Sequence, residues 1–110
     1  MQAHEMLRHE RIDLSEYSEN WIKEASYEEL KSASDELFTL AQDLECEADV
    51  LEANLDDYDN YPSLKKELQK QISTLRLNSL LADSKRLDLD FATKSASFKK
   101  VIRKHERISE

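Results

Sequence analysis

The amino-acid sequence predicts an all-α fold, and three observations lead to that prediction. The chain of 110 residues contains no glycine and one proline, which disfavours tight hairpins and glycine-rich phosphate loops. Hydrophobic residues make up 39% and charged residues 36%, a balance typical of helices with one narrow apolar stripe. Leucines also recur at intervals of seven from Leu30. We therefore predict one domain, an antiparallel helical hairpin with helices at about 27–58 and 62–107 and an N-terminal helix packed on it.

The first long helix is predicted from a capping motif and a heptad pattern. Ser26 precedes Glu29 by three residues, which is the spacing of a capping box. Apolar residues then follow at seam positions, and the seam drifts as a 3.6-residue period does against a repeat of seven. The predicted seam consists of Leu30, Ala33, Leu37, Leu40, Ala41, Leu44, Ala48, Leu51, Leu55 and Tyr58.

The second long helix is predicted to begin at Pro62, because proline fits the first helical position, where its missing N–H is not needed. The segment 86–93 alternates like a strand, and we predict that it stays helical, with a kink there as the alternative. A first stripe contains Leu64, Leu68, Ile72, Leu75 and Ala82, and a broader one continues with Leu77, Leu80, Leu81, Leu87, Phe91, Phe98, Val101 and Ile102.

The N-terminal segment, residues 1–25, shows a shorter helical pattern. Leu14, Tyr17, Trp21 and Ala25 lie at helical spacing, and Asp13 begins a D-x-x-E motif typical of a helix start. Trp21 has two interpretations. It covers the core beneath the N-terminal helix, or it is an exposed interface residue of the type that often dominates binding energy.

Catalytic and cofactor chemistry find no support in the sequence. No nucleophile elbow, phosphate-binding loop or zinc-protease motif is present, so we expect a protein that is not an enzyme. The acidic turn at 54–64 fails the EF-hand pattern, because Tyr61 and Pro62 occupy ligand and glycine positions. We expect no metal and no cofactor. A lone Cys46 and the absence of long apolar runs predict a cytoplasmic protein without membrane contact.

Charge is distributed very unevenly along the chain. Residues 1–60 contain 18 acidic and four basic side chains, whereas residues 61–110 contain six acidic and 12 basic ones. The helices are therefore predicted as an acidic helix within 26–60 and a basic helix within 61–110. Five acids spaced four and three residues apart are predicted to line one solvent-facing side of the first helix. We call them the acidic row: Glu45, Asp49, Glu52, Asp56 and Asp59.

The acidic row has three interpretations. It pairs with the basic helix, it serves solubility, or it binds a protein partner whose basic groove normally holds nucleic acid. Under the third interpretation the row and Trp21 are the partner-binding residues. A secondary basic patch, formed by Lys99, Lys100, Arg103, Lys104 and Arg107, suits the negative end of a helix dipole. The overall acidity, with a net charge of −8, argues against direct nucleic-acid binding, while a homodimer is compatible with the heptad pattern.

The stretch NWIKEASYEEL, residues 20–30, resembles a segment of small uncharacterised proteins carried by plasmids and integrative elements of Gram-positive bacteria. The matching residues are Trp21, Ala25, Ser26, Glu28, Glu29 and Leu30. The resemblance implies a mobile-element protein. In size, charge and setting alone it is similar to anti-CRISPR inhibitors of Cas9-type nucleases. Three hypotheses follow: an acidic inhibitor that partly mimics DNA, a structural coiled-coil subunit or adaptor, and a nucleic-acid-associated protein acting through its basic C-terminal helix.

Overall fold

The computed structural model describes the backbone of residues 3–109 and the side chains of residues 5–95. Within the described backbone there is no β-strand, so the all-α prediction is confirmed. Two long helices form an antiparallel hairpin, and shorter elements lie before it. The elements are α1 (Ala3–Met6), a 3₁₀ turn (Ser15–Tyr17), α2 (Glu19–Glu24), α3 (Tyr27–Ala53), a second 3₁₀ turn (Leu55–Tyr58) and α4 (Pro62–Ser109).

The core lies between α3 and α4 and consists of two clusters along the hairpin. Near the turn, Leu44 and Ala48 of α3 pack against Ile72 and Leu75 of α4. Further from the turn, α3 meets Ala82 and Leu89 of α4, and the N-terminal segment covers this second cluster. The α3 residues of the second cluster are Leu30, Ala33, Leu37 and Ala41, all from the predicted seam.

The start of α3 was predicted correctly, but its end was not. Ser26 is the N-cap, with its hydroxyl accepting from the Glu29 N–H at 3.1 Å while the Glu29 carboxylate accepts from the Ser26 N–H at 3.3 Å. The α-helix ends at Ala53, five residues before the predicted Tyr58. Asn54 stops it, because its side-chain amide donates to the Val50 carbonyl at 3.0 Å and the backbone tightens into a 3₁₀ turn.

The helix α4 begins at Pro62 and continues through segment 86–93, so the helical interpretation of that segment is confirmed. The apolar stripe predicted for α4 is only half right. Ile72, Leu75 and Ala82 are buried, but Leu64 is 46% exposed near the turn. Most of the broader stripe is exposed to solvent, namely Leu77, Leu80, Leu87 and Phe91, while Leu81 is half-buried. Phe98, Val101 and Ile102 lie outside the described side chains.

The predicted N-terminal helix is present as α2, and the rest of the N-terminal segment consists of shorter pieces. The Asp13 carboxylate accepts from the Ser15 N–H at 2.9 Å, and only a 3₁₀ turn follows. Hydrogen bonding with the Ser15 side chain, and then with its backbone, lowers the pKa of Asp13. The helix α2 begins after Ser18, whose hydroxyl accepts from the Trp21 N–H at 3.2 Å. Asp13, which was predicted to begin a helix, therefore caps only a local turn, and the α-helix begins later, at the N-cap Ser18.

A single buried amide joins this segment to α4. Asn78 is fully buried. Its side-chain oxygen accepts from the Ile12 N–H, and its side-chain nitrogen donates to the carbonyls of Leu7 and Glu10, each at 2.8 Å. Because the segment lacks long helices of its own, its backbone groups need such partners once they are buried. Asn78 therefore determines where residues 7–12 lie on α4.

Candidate interaction surface on α3

The helical part of the acidic row lies at the edge of the α3–α4 interface, where one arginine pairs with three carboxylates. The Arg76 guanidinium contacts Asp49 at 3.1 Å and Glu45 at 3.7 Å, and it also pairs with Glu52. The hydrogen bonds that Arg76 donates to Asp49 and Glu52 raise the pKa of Arg76 above its usual value, so this group stays charged. The three carboxylates and Arg76 together keep a net negative charge.

This arrangement corrects the prediction that the acidic row points away from α4 into free solvent. The row does remain accessible, because the side chains of Glu45, Asp49 and Glu52 are 49%, 63% and 51% exposed. It is nevertheless partly neutralised, since the long guanidinium side chain of Arg76 extends from α4 across the flank of α3. The interpretation as pairing within the hairpin is therefore correct for these three carboxylates, and their exposure leaves binding to a partner open.

The end of the acidic row also differs from the prediction. Because α3 stops at Ala53, Asp56 lies in the second 3₁₀ turn and Asp59 follows it, so the helical spacing of the row ends at Glu52. Asp59 forms an ion pair with Lys65 in the first turn of α4. This hydrogen bond is the main cause that raises the pKa of Lys65, and the charge of Asp56 adds to it. The tip of the hairpin is therefore acidic but locally ordered by its own ion pair.

A second acid of α3 pairs with the N-terminal segment. The Arg8 Nε donates to Glu47 Oε1 at 2.6 Å, while Glu47 Oε2 is buried without a protein partner. This contact ties the N-terminal segment to the side of α3, close to the point where Asn78 ties it to α4. The positive charge of Arg8 is therefore used in a contact within the chain.

Trp21 lies on the second core cluster and is only partly exposed. Its ring meets the Tyr17 ring edge to face, with centroids 5.3 Å apart and an interplanar angle of 74°. Burial, followed by the charges of Glu16 and Glu36, raises the pKa of Tyr17. The geometry matches the interpretation of Trp21 as a core-covering residue, and its role in partner binding stays a prediction.

Sequence patterns did not reveal a polar network around Arg86 on α4. Arg86 pairs with Asp83 at 2.9 Å and with Asp90 at 2.8 Å, and its guanidinium lies 5.3 Å from the centre of the Phe38 ring. Ser34 of α3 hydrogen-bonds to Asp90 in turn. The i,i+3 and i,i+4 spacing of the charges was visible in the sequence, but the approach of Phe38 and Ser34 depends on the register of the hairpin.

The secondary basic patch belongs to α4, whose backbone is helical there, and its side chains lie outside the described ones: Lys99, Lys100, Arg103, Lys104 and Arg107. Among the described residues, no group of three or more histidine, cysteine, aspartate or glutamate side chains is placed to hold a metal ion. Cys46 is exposed, far in sequence from the described His9.

Within the part of the chain that the structure describes, no helix has the length and apolar content needed to cross a bilayer. Comparisons of the chain with protein-family models, with curated proteins and with solved structures gave no match. Any function must therefore be argued from the surface described above.

Proposed function

We propose that this chain is a non-enzymatic binding protein that uses the acidic row to occupy a basic surface on a nucleic-acid enzyme. Inhibition of a type II CRISPR effector of the Cas9 type, by partial mimicry of DNA, is the specific form of this proposal. The observation that supports it is the exposure of Glu45, Asp49 and Glu52, each about half exposed or more, although all three pair with Arg76.

The physical argument concerns the regularity and rigidity of these charges. On α3 the row has about one carboxylate per turn, or one negative charge per ~5.4 Å, against one phosphate per ~3.4 Å along a DNA strand. Arg76 holds the carboxylates in place, so a partner would not have to order three long side chains. A basic groove that binds phosphates could exchange Arg76 for its own arginines and lysines, or bind the carboxylate oxygens that Arg76 leaves free.

The test compares two neutralised triple variants with equal changes in net charge. The first converts Glu45, Asp49 and Glu52 to glutamine or asparagine. The control does the same to Asp35, Glu36 and Asp43, which are exposed on α3 and outside the row. Neutral amides are preferable to lysine here, because lysines would crowd positive charge around Arg76 and disturb the hairpin.

We expect the row variant to lose binding to the effector and the control variant to keep it. Exposed ion pairs contribute about 0.2–1 kcal/mol each, so three lost contacts reduce affinity by roughly 3- to 150-fold. Raising the salt concentration should weaken the parent more than the row variant, because fewer ionic contacts remain to be screened. The readouts are DNA cleavage by the effector and its affinity for DNA, each measured at two salt concentrations.

Three outcomes would contradict this proposal. Inhibition that survives the row variant would move the working surface to Trp21 or to the basic patch. If the chain inhibited none of several effectors, the second candidate would be favoured, a structural coiled-coil subunit or adaptor. The exposed apolar residues of α4 support that candidate. Direct binding of nucleic acid by the isolated chain would favour the third candidate. A mobile-element origin and a cytoplasmic location stay predictions.

A further inference from the structure

A shallow groove lies between the N-terminal segment and the first turns of α3, at the opposite end of α3 from the acidic row. Its lining comes from three elements, namely the first 3₁₀ turn, α2 and α3. Two aromatic rings and three carboxylates contribute to it, and we call it the aromatic groove: Tyr17, Trp21, Glu28, Glu29 and Glu36. Among the described residues that line it, none is basic. The groove therefore combines apolar ring surface with negative charge.

The two rings form the apolar part of the aromatic groove. Tyr17 and Trp21 pack on the second core cluster, and both stay partly exposed. Their edge-to-face contact, with 74° between the ring planes, favours a fixed relative orientation. The face of an aromatic ring carries partial negative charge and attracts cations, and tryptophan attracts them most strongly. A cation in the groove is therefore favoured by the rings as well as by the carboxylates.

The carboxylates of Glu28 and Glu36 flank the groove about 12 Å apart along α3, since eight residues separate them. Both residues are exposed, and the ion pairs between described side chains include neither of them. Burial is the main cause that raises the pKa of Tyr17, and the charges of Glu16 and then Glu36 add to it. Glu36 therefore lies close enough to Tyr17 to act on its hydroxyl.

The acids of the aromatic groove differ in how far the helix itself explains them. Glu29 accepts from the Ser26 N–H, so its carboxylate supports the start of α3. Glu28 lies in the same first turn, where the helix dipole favours negative charge. Glu36 lies two turns further along, where the dipole has little effect. Glu36, beside the two rings, is thus the acid for which a cationic ligand gives a physical reason.

The same chain shows which cation suits a site of this composition. The Arg86 guanidinium lies 5.3 Å from the centre of the Phe38 ring and pairs with Asp83 and Asp90. A ring flanked by carboxylates is therefore occupied by an arginine elsewhere on this hairpin. A guanidinium is planar and less strongly hydrated than an ammonium group, so it can stack on a ring while its N–H groups donate to a carboxylate.

We propose that the aromatic groove binds an arginine side chain of a partner protein, with the guanidinium over the rings of Tyr17 and Trp21 and donating to the Glu36 carboxylate. Glu28, at the other end of the groove, adds to the attraction through its charge. This inference goes beyond the proposed function, which concerns the acidic row. Arginine binding in the groove can be present or absent whether or not a nuclease is inhibited.

Tryptophan fluorescence tests the proposal directly, because Trp21 is the only tryptophan of the chain. The probes are a blocked glycine-arginine-glycine peptide and its citrulline counterpart, which has a similar shape without the charge. The arginine peptide should change the fluorescence saturably, with a dissociation constant on the order of 1 mM, as expected for a few weak contacts. The citrulline peptide should leave the fluorescence unchanged. A lysine peptide should bind at least about threefold more weakly, because an ammonium group does not stack on a ring.

Two double variants with equal changes in net charge locate the binding site. Glu28→Gln with Glu36→Gln should weaken binding of the arginine peptide by about 2- to 30-fold, the loss expected for two exposed ion pairs. The control is Asp35→Asn with Asp43→Asn, at exposed positions of α3 outside the groove, and it should leave the affinity unchanged. Glu29 is kept because it forms the capping box. All four positions are exposed, so both variants should keep the Tm of the parent.

Several results would overturn the proposal. The groove would not bind arginine if the peptide caused no saturable change at about 100 mM, or if citrulline bound as well as arginine. Equal binding of lysine would refute the stacked guanidinium. An equal loss of affinity in the two double variants would show attraction to the overall negative charge rather than a site between the rings and Glu36.

Discussion

Replacing Asn78 with leucine should loosen the N-terminal segment and lower the stability of the whole domain. Asn78 is fully buried and makes three hydrogen bonds of 2.8 Å to the backbone of residues 7, 10 and 12. A typical hydrogen bond contributes about 0.5–1.5 kcal/mol net, so the loss of three predicts a cost of about 1.5–4.5 kcal/mol. Leucine has a similar size and shape, so a large cavity is not expected to add to that cost.

Two measurements check this expectation. For a domain of about 100 residues, 1 kcal/mol lowers Tm by roughly 4 °C or more, so Asn78→Leu should lower it by about 6–18 °C. Hydrogen exchange should also show faster exchange of the Ile12 amide, which donates directly to Asn78. Gln69→Leu is the matched control, because it makes the same amide-to-leucine change at an exposed position of α4.

The hydrogen-exchange result separates the proposed contact from a general effect on packing. If Asn78→Leu left the Ile12 amide as protected as in the parent, the three hydrogen bonds would not hold residues 7–12 in place. Equal losses of Tm in Asn78→Leu and Gln69→Leu would likewise refute the reasoning, because the cost would then come from leucine on α4 rather than from the buried amide.

Two further predictions concern the core and Tyr17. In urea denaturation, Leu44→Ala should lower the free energy of unfolding by about 2–5 kcal/mol, because Leu44 is fully buried. Leu64→Ala, at an exposed site, should lower it by less than about 0.5 kcal/mol. Equal losses in the two variants would contradict the assigned core. Because the pKa of Tyr17 is raised in the folded state, its neutral side chain contributes to folding stability below pH 10. This contribution is lost as the pH rises through the pKa of the folded state. The difference in tyrosinate absorbance between the parent and Tyr17→Phe should therefore appear above pH 10.0. Glu36→Gln should lower the pKa of Tyr17, because it removes a nearby negative charge. A Tyr17 that ionises at or below pH 10.0 would refute this reasoning.

Much of the fold was predictable because it depends on local patterns. The capping box at Ser26, the leucine repeat through Leu44 and the proline at 62 each determine one feature of the hairpin. The ion pairs of the candidate site could not be predicted in the same way. Arg76 lies 27 residues from Asp49, and no spacing within one helix shows that the two side chains meet.

The choice between the two apolar stripes of α4 was also beyond pattern analysis. Leu87 and Leu89 are equally apolar, yet Leu89 is fully buried and Leu87 is exposed. Only the register of the hairpin decides between them, and that register depends on the turn at Asn54. The sequence does carry a signal for Asn78, which lies three residues after Leu75 and four before Ala82 and therefore on the buried side of α4.

The order of the two core clusters along the hairpin has a consequence for how the chain folds. Contacts nearest the turn join residues close in sequence, such as Ala48 and Ile72, whereas Leu30 and Leu89 belong to the distant cluster. Because the entropic cost of closing a loop rises with its length, contacts between the two helices should form first near the turn and then progressively further from it. The contacts of Asn78 span up to 71 residues and must form after α3 and α4 are aligned. The N-terminal segment would then dock last and detach first.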